Sequence, residues 1–163
     1  YHLDWKDIQL FATVNDTGIN ANGGKAKVNG VELSGALRPI PGLTFAANAA
    51  YSHAELKDDT PPATGGLAGD PLPWVPKVTA ALHGDYEFPV GAVEGFVGGS
   101  VSHVGKRLAN LDQRTADDDP VRIPSYTEVD LRAGVNFDRF TVQAFNPVGG
   151  GAQSSRSNQV AGR

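Results

Sequence analysis

The stretch Pro124-Ser-Tyr-Thr-Glu-Val-Asp-Leu-Arg-Ala-Gly-Val-Asn-Phe-Asp-Arg-Phe-Thr-Val-Gln-Ala-Phe145 decides the fold class of this chain. From Thr127 to Phe137, an apolar set of residues alternates strictly with a mostly charged or polar set. Successive side chains of a β-strand point to opposite faces, so the pattern predicts a strand with one apolar face. Asp138-Arg139 predicts a tight reversal, after which the alternation resumes. Such a hairpin suits a soluble sandwich or the wall of a transmembrane barrel.

The composition favours strands and turns over a helical bundle. The 163 residues include Gly 20 and Pro 11, which is typical of strands joined by many turns. A net charge of −4 without a basic block lacks the electrostatic footprint of a nucleic-acid binder. Cys 0 excludes a disulfide framework, a thiolate zinc site and a cysteine nucleophile. No apolar run approaches the roughly 18 residues that predict a membrane helix.

Alternating segments extend along most of the chain. The predicted strands are 4–14, 25–38, 43–56, 77–88, 92–104, 127–137 and 140–145. In the second of them, Val28 is out of phase with the apolar set that starts at Val31, which predicts a β-bulge near Gly30. The fold class predicted is therefore all-β, an antiparallel up-and-down meander of about seven long strands.

The connections between these strands alternate in length. The short ones lie at 38–43, 88–92 and 137–140, and the long ones at 15–24, 57–76 and 105–124. Outer-membrane barrels have short periplasmic turns and long extracellular loops. Aromatic residues at two of the short turns, namely Tyr86 with Phe88 and Phe137 with Phe140, fit an interfacial girdle. The meander is therefore predicted to be part of a transmembrane β-barrel.

Six segments, in order, carry a resemblance to a known family. They are KAKVNGVEL (25–33), RPIPGLTF (38–45), AAYSHAEL (49–56), LPWVPK (72–77), VGKR (104–107) and PSYTEVDLRAG (124–134). The chain resembles the C-terminal part of the barrel of a TonB-dependent outer-membrane receptor. The resemblance covers most of the chain and implies a partial barrel over 1–146, followed by an irregular, disordered tail over 147–163.

The resemblance also implies what to expect of function and partners. Such receptors take up a large scarce nutrient of the siderophore, cobalamin or glycan class across the bacterial outer membrane. The plug domain, the TonB-binding segment and the closing strand of the family are not found in the sequence, which starts at Tyr1 with Met 0. The chain is therefore expected to be a processed or truncated barrel-wall fragment that does not transport alone. Its expected partners are the lipid bilayer, the remaining strands and plug of the parent receptor and, through that plug, an inner-membrane energy-coupling protein.

Two other readings remain open at this point. One is a small self-contained β-barrel without transport activity, and the other is a soluble β-sheet binding module. An enzyme is not expected, because the charged residues lack a convergent nucleophile and base. No cofactor is expected, and no two of the four histidines stand at metal-ligand spacing.

Two sets of residues are candidates for functional contacts. Charged or polar residues on the polar strand faces are predicted to line a lumen: Glu32, Arg38, His83, Asp85, Glu87, Glu94, Glu128, Asp130 and Arg132. Residues of the long connections are candidate ligand contacts of extracellular loops: Asp58, Asp59, Trp74, Arg107, Asp117, Asp118 and Asp119. The aspartates of this second set are alternatively solvated loop charges, and they lack the spacing of a calcium-binding loop.

Overall fold

The computed structural model describes residues 1–14, 17–62, 64–111, 121–137 and 139–147. A seven-stranded antiparallel sheet dominates these residues, which confirms the predicted fold class. Among them, no helix is long and apolar enough to cross a membrane. Asp117, Asp118 and Asp119 and the segment 148–163 lie outside the described residues, so the predictions made for them stay predictions.

The sheet is a meander, accompanied by two small hairpins. In chain order the strands are β1 (His2–Lys6), β2 (Gln9–Val14), β3 (Thr17–Asn22), β4 (Lys25–Ile40), β5 (Leu43–Leu56), β6 (Val78–Val90), β7 (Val93–Val104), β8 (Arg107–Leu108), β9 (Arg122–Ile123), β10 (Tyr126–Asn136) and β11 (Thr141–Pro147). The order in the sheet is β1-β4-β5-β6-β7-β10-β11, while β2 pairs with β3 and β8 pairs with β9. Each sheet strand after β1 therefore lies beside the sheet strand that precedes it in sequence.

The first predicted strand, 4–14, is wrong in one respect. The structure divides it at Asp7, whose φ of 55° lies in the left-handed region and interrupts the extended backbone. The part before Asp7 pairs with β4, whereas the part after it pairs with β3, inside the segment predicted to be a loop. The backbone N–H of Ile8 donates to the carbonyl of Gly24 at 3.0 Å, which fixes the base of this hairpin.

Cross-strand register collects the apolar residues on one face of the sheet. Val31 lies opposite Tyr51, and Tyr51 lies opposite Val78. The large apolar side chains on this face are Val31, Leu33, Leu37, Leu43, Phe45, Tyr51, Val78, Leu82, Tyr86, Phe88, Val97, Val101, Val129, Leu131, Val135 and Val142. Leu33 is 74% exposed and Val31 is 70% exposed, so in the described part of the chain no second layer covers them. A soluble sandwich requires such a layer, whereas a barrel wall turns this face to lipid.

The height of this apolar face suits a membrane. From Val78 to Phe88, β6 covers about 33 Å at about 3.3 Å per residue, or about 25 Å of height at a strand tilt of about 40°. The lipid-facing band of an outer-membrane barrel is also about 25 Å tall. The strand length therefore matches the thickness that a barrel wall has to cross.

The short connections lie at one end of the sheet and the long connections at the other. The turns between β4 and β5, β6 and β7, and β10 and β11 are short and share one end, because the strands alternate in direction. Aromatic pairs lie at this end: the rings of Tyr86 and Phe88 stack at 5.5 Å, and those of Phe137 and Phe140 at 4.6 Å. The connections after β1, β5 and β7 are long and share the other end.

Within the described residues, the buried core is small and lies at the end with the long connections. Its buried members come from strand ends and from connections, and they are Ile8, Ala26, Ala54, Leu56, Leu72, Leu108 and Leu111. The predicted bulge near Gly30 is wrong, because β4 pairs with β5 without interruption from Ala26 to Leu37. Val28 stays out of phase for a physical reason: it packs against this core on the face opposite Val31. Beyond the apolar band, the face of β4 that carries Val28 is thus the apolar one, and the face that carries Val31 becomes polar.

Candidate functional site: the polar face and the long connections

The face opposite the apolar band carries the predicted lumen-lining residues. The cross-strand register places eight of the nine residues on this face: Glu32, His83, Asp85, Glu87, Glu94, Glu128, Asp130 and Arg132. The ninth, Arg38, lies in the stretch of β4 where the register shifts, so alternation does not assign its face. That these residues line a lumen stays a prediction, but their segregation from the apolar face is a property of the fold.

Three charged or ionisable residues of this face converge across two strand spacings. Oδ1 of Asp85 on β6 accepts hydrogen bonds from Nε of Arg132 at 3.0 Å and from Nη2 at 2.5 Å. The other carboxylate oxygen of Asp85 contacts Nε2 of His83, which lies 3.5 Å from Arg132 Nη2. The Asp85 side chain is 18% exposed, and the Arg132 side chain is 44% exposed. The cluster is therefore a partly screened ion pair with an imidazole beside it.

A glycine makes this ion pair possible. Asp85 and Arg132 are not direct neighbours, because Gly98 of β7 stands between them in the same row. A Cβ atom at Gly98 would overlap Oδ1 of Asp85 and lie 3.0 Å from Nε of Arg132. The guanidinium carbon of Arg132 also lies 5.9 Å from the ring centroid of Phe96, within reach of a cation–π contact. The sequence carried one signal for this site, since a glycine inside a strand often marks a close approach.

The other polar-face residues form simpler contacts. Ser100 Oγ donates to Oδ2 of Asp130 at 3.3 Å, directly across the β7–β10 pair. The four glutamates of this face have no cross-strand partner in common, so they lie in four different rows of paired residues: Glu32, Glu87, Glu94 and Glu128. Among the described residues, no group of three His, Asp or Glu side chains is placed to hold a metal ion. The side chains of the polar face can thus orient a charged group and neutralise its charge.

The candidate loop residues take up separate positions. Asp58 is paired with Lys25 at 3.8 Å, and Asp59 accepts a hydrogen bond at 2.8 Å from the backbone N–H of Ala68. These two carboxylates therefore contact their own surroundings and do not converge with each other. Trp74 is 64% exposed and has a φ of 65°.

Trp74 and Arg107 are brought close by the packing of two long connections. The backbone N–H of Trp74 donates to the carbonyl of Leu108, the residue after Arg107, at 2.8 Å. The Arg107 guanidinium carbon lies 5.7 Å from the ring centroid of Tyr126, a residue that the sequence did not single out. Nη1 of Arg107 is buried and has no hydrogen-bond partner in the described chain. The Arg107 guanidinium is thus a cation held over the ring of Tyr126.

His2 links β1 to β4 near the end of the sheet that carries the long connections. Its Nδ1 lies 2.6 Å from Oδ1 of Asn29, and its Nε2 lies 3.1 Å from Oδ2 of Asp4. Both neighbours are acceptors, so both ring nitrogens have to carry a proton to use them. The hydrogen bond to Asn29 first, and then that to Asp4, raise the pKa of His2 above its ordinary value of 6.5.

Comparison with known proteins places these features in a family context. The family model described as "TonB dependent receptor-like, beta-barrel" matches residues 1–146. The proteins named "Metal-pseudopaline receptor CntO" of two strains of Pseudomonas aeruginosa are each 31% identical to the chain over 134 residues. That match covers 82% of this chain but 18% of the relatives, so the chain spans less than a fifth of their length. No solved structure matches it.

The ion pair of the polar face should depend on Gly98. We expect Gly98→Ala to lower the free energy of unfolding by about 1 kcal/mol, the scale of a partly exposed ion pair, because the new methyl group displaces Asp85 from Arg132. Urea unfolding of the folded chain measures the effect. Gly35→Ala is the matched control, since a Cβ there meets no atom within 4 Å. Equal stability of the two variants would contradict the assignment.

The contacts of His2 predict a pH dependence. The pKa of His2 is raised in the folded chain, so its stabilising contribution is complete below the ordinary value of 6.5 and is lost as the pH rises through the raised pKa. NMR titration of the His2 ring should give a midpoint above 6.5, and Asn29→Ala should lower it. Asn48→Ala, on another part of the sheet, should leave it unchanged. A wild-type midpoint at or below 6.5 would refute this.

Proposed function

Because the chain belongs to the TonB-dependent receptor-like β-barrel family, we propose that it forms part of the wall of an outer-membrane uptake receptor. The polar face lines the lumen, and the apolar face contacts lipid. The end with the long connections faces the outside, as in outer-membrane barrels generally. The family is one of receptors, and we propose that the chain contributes to transport by the whole receptor, does not transport alone and has no role in catalysis.

The observation that carries this proposal is the uncovered apolar face. Large side chains such as Leu33 and Val31 are exposed in rows across several strands, whereas soluble monomers rarely expose large contiguous apolar patches. The opposite face concentrates the charged residues, including the Asp85–Arg132 pair. A transmembrane wall with a hydrated lumen accounts for both faces at once. The soluble-module alternative accounts for neither.

The proposed partners follow from the edges of the sheet. Among the described residues, β1 pairs with β4 only from Lys25 to Asn29, and β11 has β10 as its one neighbour. Unpaired backbone groups are costly in hydrocarbon, so both edges have to be paired with further strands in the membrane. We propose that these strands, together with a plug domain, belong to the parent receptor. Contact with an inner-membrane energy-coupling protein would pass through that plug.

For the cargo, we propose a metal bound to an organic chelator. The support is the name of the two relatives, which are receptors for metal-pseudopaline. Within the nutrient classes expected from the sequence, this favours the siderophore-like class over cobalamin or a glycan. The exposed Trp74 and the half-buried Arg107 are the described loop residues that we propose as contacts for such a complex.

The orientation of the sheet predicts opposite outcomes for two neighbouring substitutions. Leu33→Arg puts a charge on the lipid face two residues inside Val31, the outer limit of the apolar band. It should destabilise the inserted state by about 1–2 kcal/mol, between the cost of about 2–4 kcal/mol at the midplane and that of about 0–1 kcal/mol near the interfaces. Ser34→Arg, on the adjacent residue of the polar face, should change it little. Urea unfolding from phospholipid vesicles measures both, and heat-modifiable mobility on a detergent gel reports folding. Equal costs, or a chain that stays monomeric and folded in buffer without detergent, would exclude the proposed membrane wall.

The cargo proposal predicts a specific uptake defect. Deleting the gene that encodes this chain should lower uptake of a labelled metal offered as its pseudopaline complex, because outer-membrane entry of the complex would be lost. Uptake of the same metal as a simple salt at high concentration is the control and should not change. Unchanged uptake of the complex would contradict the proposed cargo, without bearing on the membrane orientation.

A further inference from the structure

An ionisable side chain, that of His103 on β7, lies inside the apolar band of the sheet. His103 is two residues from Val101, so it shares the face that the proposed orientation turns to lipid. It lies one row of paired residues inside Val78, which marks the outer limit of the band. Ionisable residues at membrane depth are rare and point to a functional contact with a specific partner.

The His103 imidazole has one partner within the chain. Its Nδ1 lies 2.9 Å from Oγ1 of Thr127, the residue directly opposite on β10. Its Nε2 forms no hydrogen bond with any described residue. When Nδ1 accepts the hydroxyl proton, Nε2–H is an unused donor and the Thr127 oxygen keeps an unused acceptor site, and the other tautomer exchanges these roles. The pair therefore offers one donor and one acceptor in either neutral tautomer.

A pair of this kind is complementary to a second copy of itself. In a two-fold symmetric contact each surface meets its own copy, so the donor of one chain faces the acceptor of the other chain twice. An axis along the membrane normal that passes between β7 and β10 brings His103 of each copy to Thr127 of the other. Two intermolecular hydrogen bonds then satisfy polar groups for which hydrocarbon offers no water.

The same axis brings a projecting side chain over a hollow. One row of paired residues on the apolar face consists of Phe45, Gly84, Gly99 and Leu131. The two glycines form part of the lining of a cavity of about 460 Å³, together with the side chains at both ends of the row. Leu131 is 54% exposed and lies directly opposite Gly99, so an axis between them places Leu131 of one copy over Gly99 of the other. In a membrane such close packing and polar contacts drive association, because apolar surface alone gains nothing over lipid.

We propose that this surface pairs two copies of the chain side by side in the membrane. The occupant is a second copy because the His103–Thr127 pair and the hollow at Gly99 beside Leu131 are each complementary to themselves about one shared axis. The inference rests on the proposed membrane wall and adds a lateral partner to it.

Disulfide cross-linking tests the position of the axis. The chain has Cys 0, so one introduced cysteine is its sole thiol. Val101 lies next to the axis, between the row of His103 and the row of Gly99. With the full chain folded in detergent micelles, Val101→Cys should give a linked dimer on oxidation, because a disulfide needs two Cβ atoms within about 4.5 Å.

Val31→Cys is the matched control for the cross-link. It is the same substitution on the same face, at a more exposed residue of β4 that lies three strands away from β7. It should stay unlinked under the same oxidation, whereas random collision would link it at least as readily as Val101→Cys. Equal cross-linking of the two variants would overturn the proposal.

Dimer affinity tests the two contacts separately. His103→Leu removes both intermolecular hydrogen bonds and should weaken dimerisation about 8-fold in sedimentation equilibrium, at roughly 3-fold for each hydrogen bond between membrane segments. Leu131→Ala should also weaken it, because the hollow of the partner copy is left unfilled, whereas Leu33→Ala on β4 should not. Unchanged affinity in His103→Leu, or equal losses in the two leucine variants, contradicts the proposed contact.

Folding of every variant is followed by heat-modifiable mobility on a detergent gel. Thr127→Val removes the hydroxyl group with little change of volume, and it replaces His103→Leu if that variant does not fold. A wild-type chain that folds but stays monomeric in micelles and in phospholipid vesicles refutes the dimer alone. A chain that pairs only in buffer without detergent refutes the proposed function as well, because the apolar face is then buried between soluble copies.

Discussion

Backbone pairing between neighbouring strands is the constraint on which the rest of this structure depends. In hydrocarbon no water is available for unpaired N–H and C=O groups, so each strand has to satisfy them with its neighbours. The long, uninterrupted pairings of β5 with β6 and of β6 with β7 meet this demand. Because side chains alternate strictly along such strands, one choice of register decides every contact on both faces. A shift by one residue would bring Asp85 and Arg132 to the apolar face.

The same register explains why the ion pair of the polar face needs a glycine. Asp85 and Arg132 sit on strands that flank β7, and a side chain on β7 would separate them. With Gly98 between them, the guanidinium group crosses the middle strand and reaches the carboxylate. The pair therefore ties together three strands instead of two. This interaction depends on the side chains that three neighbouring strands place side by side. The alternation of apolar and polar residues along a single strand does not encode it.

Most of the sheet could be predicted from the sequence, because period-two alternation is a direct image of strand geometry. The hairpin at Phe137 and Phe140, the sorted connections and the segregation of charge such as Asp130 all follow from it. The division of the first strand at Asp7 was not predicted, although the apolar phase changes there: Leu3 and Trp5 stand at odd positions and Ile8 begins an apolar set at even positions. The partner of Arg107, Tyr126, is likewise distant in sequence and is brought near because it lies opposite Val104, at the end of β7.

The wrong prediction of a bulge near Gly30 has a cause that applies to membrane strands in general. A bulge was expected because the apolar phase of β4 changes between Val28 and Val31, on the premise that one face stays apolar along a whole strand. A strand that leaves the membrane breaks this premise. In the proposed orientation, the outward side is apolar inside the band and meets water and headgroups beyond it, while the inward side is covered by the connections. Val28 and the buried Ala26 pack inward against that cover, and Lys25 points outward. In the proposed orientation, a change of apolar phase without a break in pairing is therefore itself a marker of the membrane boundary, and on β4 it lies at Gly30.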